Sequence, residues 1–175
     1  MVEEQFGHDL TCVPYAHKGR YVVQTTILLV VVGIVFLYLW TINPLLSLLM
    51  IVFYLGTNYF QAYCCVYQDC PYVGQFCPAV FGIFPANLIA RRLSRKGITR
   101  SKKKFERHAT IAFTFWLGIV FLPVYWLYLL DLLIAIGYVV FQIASFLIFT
   151  LTVCPKCAIR DTCPAGAIPR RLGSS

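Results

Sequence analysis

Residues 109 to 153 read ATIAFTFWLGIVFLPVYWLYLLDLLIAIGYVVFQIASFLIFTLTV, 45 positions with a single charge, Asp131. A helix rises about 1.5 Å per residue and a hydrocarbon core is about 30 Å thick, so the run is too long for one crossing. It is the right length for two helices joined by a tight turn. Asp131, near the middle, marks that turn; the other reading of a lone acid in an apolar run is proton handling within the membrane. Pro123 is expected to kink the first of the two helices, and Gln142 to pack within a bundle.

Upstream, Tyr21 to Trp40 is almost wholly aliphatic and aromatic and forms a first span. Asn43-Pro44 punctuates it as a turn, Pro44 suits the first turn of the next helix, and a second span runs from Pro44 to Cys64. Asn58 and Gln61, near its end, are expected to face protein or the interface through interhelical hydrogen bonds, with a quinone headgroup contact as the alternative. The expected fold is therefore an all-α integral membrane protein, its four transmembrane helices arranged as two hairpins, each followed by a cysteine-rich cytoplasmic segment.

Composition agrees. Hydrophobic residues make up 59% of the 175 and charged residues 13%, with a mean hydropathy of +0.74, against an apolar share of roughly half in soluble domains. A soluble helical core would need polar surface to cover it, and these runs have none. The chain divides into a lead (1–20), a first membrane hairpin (21–64), a cysteine segment with an interfacial piece and basic loop (65–108), a second hairpin (109–153) and a cysteine-rich end (154–175). Within the third division, Ala79 to Ala90 is too short to span and is interrupted by Gly82 and Pro85, so it is expected to lie at the interface or re-enter and return on its own side.

The formal charge of +8 could suggest nucleic acid, but its placement favours a membrane surface. Every Lys and Arg lies outside the apolar runs, and Arg91 to His108 holds nine of the fifteen against Glu106 alone. Such a run marks a cytoplasmic face near anionic headgroups, and the turns at Asn43 and Asp131 carry no basic residue. Both termini and both cysteine segments are then cytoplasmic, where a structural disulfide is disfavoured. The start, MVEEQFGHD, is acidic where a cleaved signal would be basic, so the N-terminus is expected to be retained.

Seven of eight cysteines fall in two segments, CCVYQDCPYVGQFC (64–77) and CPKCAIRDTC (154–163). Proline follows Cys70, Cys77, Cys154 and Cys163; each Cys-Pro step extends the backbone and removes an amide donor, which can present sulfur from a turn. Each segment ends in Cys-Pro-Ala, 86 residues apart, consistent with an internal duplication about an axis along the membrane normal. Thiolates select zinc, copper(I) or iron-sulfur clusters, and basic surroundings favour the thiolate. Arg91, Arg92, Lys156, Arg160, Arg170 and Arg171 are placed in sequence to offset its charge.

Four-thiolate counting takes Cys65, Cys70 and Cys77 from the first segment and Cys154, Cys157 and Cys163 from the second, with Cys64 and Cys12 as further candidates to complete two sets of four. Adjacent Cys64 and Cys65 would diverge on a helix, so one of them can instead be a small buried hydrophobe. His8, Cys12 and His17 in the lead also suit an interfacial tail with no ligand role.

The segments CPYVGQFCPAVFG, with its trailing ANLIARRL, and CAIRDTCPAGAIPRRL resemble the membrane-bound ferredoxin-type proteins of the NapH, NosR and CcoG kind. Those have four-helix membrane parts with Cys-x3-Cys-Pro motifs on the cytoplasmic side. The spacings here are Cys-x6-Cys-Pro and Cys-x5-Cys-Pro, and the 175 residues hold no two-cluster ferredoxin motif. The resemblance implies iron-sulfur clusters, 4Fe-4S in type, and electron transfer between a quinol pool or cytoplasmic donor and other subunits of a membrane redox complex, or metal-centre maturation. The expected partners are membrane lipid and such subunits, with quinone as a further candidate, and no nucleic acid.

The principal alternative is an accessory or assembly subunit with a structural zinc site and no redox role. A quinone-linked thiol oxidoreductase of the DsbB or VKOR kind would need its cysteine pair on the oxidising side. Palmitoylation of Cys64 and Cys65 would leave Cys154 to Cys163 unexplained. His8, His17 and His108 lie outside the spans or at their edge, against a haem held between helices. Phosphate-binding glycine loops, paired catalytic carboxylates and nucleophile triads are absent as patterns, and a transporter finds little support in spans with no basic residue and one acidic residue.

Overall fold

A computed structural model describes residues 18–68, 70, 73, 86–96, 98 and 101–152. They form six helices and, among the described residues, no strand: α1 (Lys18–Ile42), α2 (Pro44–Tyr67), α3 (Ala86–Ser94), α4 (Lys102–Phe121), α5 (Val124–Leu130) and α6 (Leu132–Thr152). With α4 and α5 taken as one crossing, four helical stretches are long and apolar enough to cross a membrane. At most 28% of each span's apolar window is buried inside the protein, so the surface itself is hydrocarbon. Val23, Ile34, Leu37, Leu45 and Leu133 stand exposed along it, as a lipid-facing bundle requires.

Two Asx residues stop and restart the helices. Asn43 is extended, and its side chain accepts from Leu45 N at 2.9 Å, with Pro44 in the first turn of α2. Asp131 is likewise extended and its Oδ1 accepts from Leu133 N at 2.6 Å, capping α6. The proton-handling reading of Asp131 finds no support in this place, because the carboxylate is exposed and already serves as a cap.

Helix boundaries run past the apolar limits. The third span begins at Lys102 rather than at 109, because Ser101 caps Lys104 N at 3.4 Å and the exposed lysines of the first turn can reach water from a helix. Downstream of the first cysteine segment, α3 extends the expected interfacial piece to Ser94, while residues 79–85 lie outside the described residues.

The core gathers Leu28, Val32, Val35 and Leu39 of α1 with Met50, Ile119, Leu127, Ala135 and Tyr138. Backbone carbonyls bind the helices as well: Ser47 Oγ donates to Phe36 O at 3.0 Å and Tyr38 Oη to Trp126 O at 3.1 Å. The most extensive contact is between α2 and α4. A Cβ on Gly56 would overlap the Phe115 ring, and one on Gly118 would come within 2.9 Å of the Phe53 ring. The two phenylalanines meet edge to face at 5.9 Å, each seated on the other helix's glycine.

Pro123 divides α4 from α5, and the cost of that break is met from another helix. Proline has no N–H to give the carbonyl four residues back, Ile119. Tyr138 Oη of α6 donates to Ile119 O at 2.9 Å and occupies it. Tyr138→Phe should therefore lower stability by about 1–2 kcal/mol. The loss should shrink in a Pro123→Ala background, which restores the N–H; a double-mutant cycle of unfolding in detergent measures the difference.

Gln142, expected within the bundle, is 1% exposed. Asn58 is fully buried, but its amide donates to Tyr54 O of its own helix at 2.8 Å rather than across helices. Gln61 is half-buried.

Candidate metal centre

The C-terminus of α2 decides how the first cysteines are held. The helix ends at Tyr67 with Gln68 as its cap, so Cys64 and Cys65 lie in the last helical turns and Cys70 lies beyond them. Cys70 N–H donates to Cys65 O at 3.0 Å. Counted from the cap, Cys65 is the third residue inside and Cys70 the second residue outside, so this is the six-to-one bond of a Schellman closure. In such closures these two positions frequently carry side chains that touch. Val73 N–H then donates to Cys70 O at 3.1 Å, turning the chain immediately after the second sulfur.

The three described cysteines separate by face. Cys64 turns toward α4, with its sulfur 3.9 Å from Phe105 O, the long contact of a weak S–H donor. Cys65 packs with Tyr63 and Val73 against the cluster of Ala62, Val66, Ala90 and Leu93 between α2 and α3. Cys70 is buried, at 8% exposure. The expected divergence of Cys64 and Cys65 is observed, and it is Cys65 that shares a backbone closure with Cys70.

Cys12, Cys77, Cys154, Cys157 and Cys163 lie outside the described residues, as do Lys156, Arg160, Arg170 and Arg171. Among the described residues no three of His, Cys, Asp and Glu come together as a metal site. Of the expected ligands, Cys65 and Cys70 are the two that the described backbone joins by a hydrogen bond. Arg91 and Arg92 are exposed on α3, whose buried face packs on the same end of α2.

His108 was placed at the edge of a span by the sequence; it is buried in the second turn of α4, at 9% exposure. Its ring lies 5.7 Å from Phe60, 5.2 Å from Tyr63 and 5.2 Å from Tyr67, all on one stripe of α2. Nδ1 is 2.7 Å from Lys104 O, and because a carbonyl only accepts, Nδ1 carries the hydrogen there. The stripe Phe60, Tyr63, Cys64 and Tyr67 follows the three- and four-residue spacing of a helix face. That spacing was the signal that could have paired it with His108.

The chain matches no protein-family model, and comparison with curated proteins and with solved structures found no similar one. The likeness to the NapH, NosR and CcoG group rests on the quoted cysteine motifs alone.

Proposed function

We propose that this chain is a small membrane subunit holding a cysteine-ligated metal centre, one or two iron-sulfur clusters of the 4Fe-4S type, that passes single electrons within a membrane redox complex. The supporting observation is the Schellman closure that joins Cys65 and Cys70 at the end of α2. One thiol in the last turn of a helix and a second just beyond it, before a proline, are positions from which metal ligation can draw. Cys77, Cys154, Cys157 and Cys163 are the further ligands in this reading, with Cys12 as a candidate. Cys64 is assigned to the α2–α4 contact.

In this reading α1 and α2 form one hairpin about Asn43, and α4, α5 and α6 a second about Asp131. The absence of Lys and Arg from both turns supports a cytoplasmic side for the termini and the cysteine segments. In that reading both segments belong to one side of the membrane, the side that also carries the basic residues, which would favour thiolate over thiol. A structural zinc in an accessory subunit is the second reading. It is favoured by the packing of Cys65 within the α2–α3 cluster, where a metal would fasten two helices together.

Anaerobic purification from native membranes, with iron, acid-labile sulfide and zinc analysis and EPR before and after dithionite, separates the two. Iron and sulfide at about four per cluster with a reducible signal is the expected result. Equimolar zinc without a visible chromophore would sink the electron-transfer reading and establish the structural one. No bound metal would overturn both.

A further inference from the structure

We infer that α3 and the first turns of α4 form a cationic shelf that binds the phosphate headgroups of anionic phospholipids in the adjoining leaflet. The inference does not depend on the metal centre. Its basis is that two basic segments, separate in sequence, are hung on the same end of α2. Helix α3 packs Ala90 and Leu93 against Ala62 and Val66. Helix α4 sets Phe105 and His108 against Cys64, Tyr63 and Tyr67 of the adjacent face.

What these contacts leave outward is positive. Arg91 and Arg92 are exposed on α3, and Arg95 and Lys96 in the turn that follows it. Lys102, Lys103 and Lys104 are exposed in the first turn of α4, followed by Arg107. Glu106 is the one described acid in these segments, and none of these cations forms an ion pair among the described residues.

The lysines stand where the helix dipole is already positive, an end that favours anions and disfavours cations. Fold and sequence therefore concentrate positive charge that nothing described neutralises.

The position selects the anion. Within two turns of Lys104, α4 becomes apolar and continues as a membrane span, which puts the shelf at headgroup depth. On α3, Leu88 is 51% exposed beside the arginines, an apolar side chain that acyl chains can cover. Single-stranded nucleic acid would ask for exposed rings on which to stack bases. At this end Tyr67 and His108 are buried, and they are occupied with each other.

The test uses the full chain in a mild detergent, titrated with phosphatidylglycerol or with phosphatidylcholine of the same acyl chains. Bound lipid is read by native mass spectrometry and stability by the unfolding midpoint. Phosphatidylglycerol should be retained and should raise the midpoint, an effect lost at high salt, while phosphatidylcholine should do neither. Each cation removed should weaken phosphatidylglycerol by about fivefold, so the triple variant Lys102→Gln, Lys103→Gln, Lys104→Gln should bind about a hundredfold less tightly. Because that variant could also disturb the start of α4, the matching triple arginine variant, which keeps the charge, should bind as the native chain does.

Equal retention of the two lipids, or undiminished phosphatidylglycerol binding by the glutamine variant, would overturn the inference. So would displacement of the lipid by inorganic phosphate, which would indicate a free-anion pocket, or by single-stranded RNA.

Discussion

Gly56→Leu is expected to cost about 3 kcal/mol or more and to part α4 from α2. The reason is geometric. The Phe115 ring lies on the Gly56 backbone, and it cannot retreat freely because Phe53 holds it edge-on at 5.9 Å and Phe60 lies 5.6 Å away. Gly118→Leu should act similarly from the other side, against Phe53. Even alanine at Gly56 should be felt, at about 1–3 kcal/mol.

Unfolding by SDS titration from mild detergent measures the loss. Adding Phe115→Ala to Gly56→Leu should recover much of it, since the leucine then fills space vacated by the ring. A Gly56→Leu protein as stable as the native chain would mean that the two helices do not cross this closely.

The second large effect concerns the cysteines. If the proposed centre is present, Cys65→Ser and Cys70→Ser should each abolish stoichiometric metal, because each removes one of the two thiols joined by the α2 closure. Cys64→Ser should leave metal unchanged and move stability by less than about 1 kcal/mol, since a hydroxyl can replace the weak S–H donor facing Phe105 O. Metal per chain by elemental analysis, with helix content by circular dichroism to confirm folding, decides between them. Loss of metal from the Cys64 variant with retention in the other two would reverse the assignment.

The number of spans was legible because hydrocarbon thickness fixes a length, and runs of apolar residues can be measured against it. The breaks at Asn43 and Asp131 were legible because each residue offers an acceptor to the amide two positions on. The start of α4 was not. Apolarity marks where lipid begins, whereas a helix can continue into water as far as a cap such as Ser101 allows. The pairing of α2 with α4 was also hidden, since Gly56 and Gly118 have no side chains by which to announce a partner.

At the candidate centre, the divergence of Cys64 from Cys65 followed from the helical repeat. Pro71, three residues past the Gln68 cap, marks a helix end between Cys65 and Cys70, but the cysteine spacing reads first as a ligand set. His108 was missed for a related reason: it sits beside five basic residues of a polar-looking stretch, and only the facing rings of α2 show that it is enclosed.

The glycine crossing also sets an order of events during synthesis. Helix α2 is complete at residue 67, but its partner α4 ends only at residue 121. At about 5–20 residues per second that interval lasts roughly 3–10 s. For those seconds the notch at Gly56 and the ring of Phe53 face lipid or whatever attends the nascent chain, and α2 is accompanied only by α1 and then by α3 at its far end. A chain halted before α4 emerges should thus be the form most readily removed by membrane quality control, and the arrival of Phe115 the step that ends its exposure.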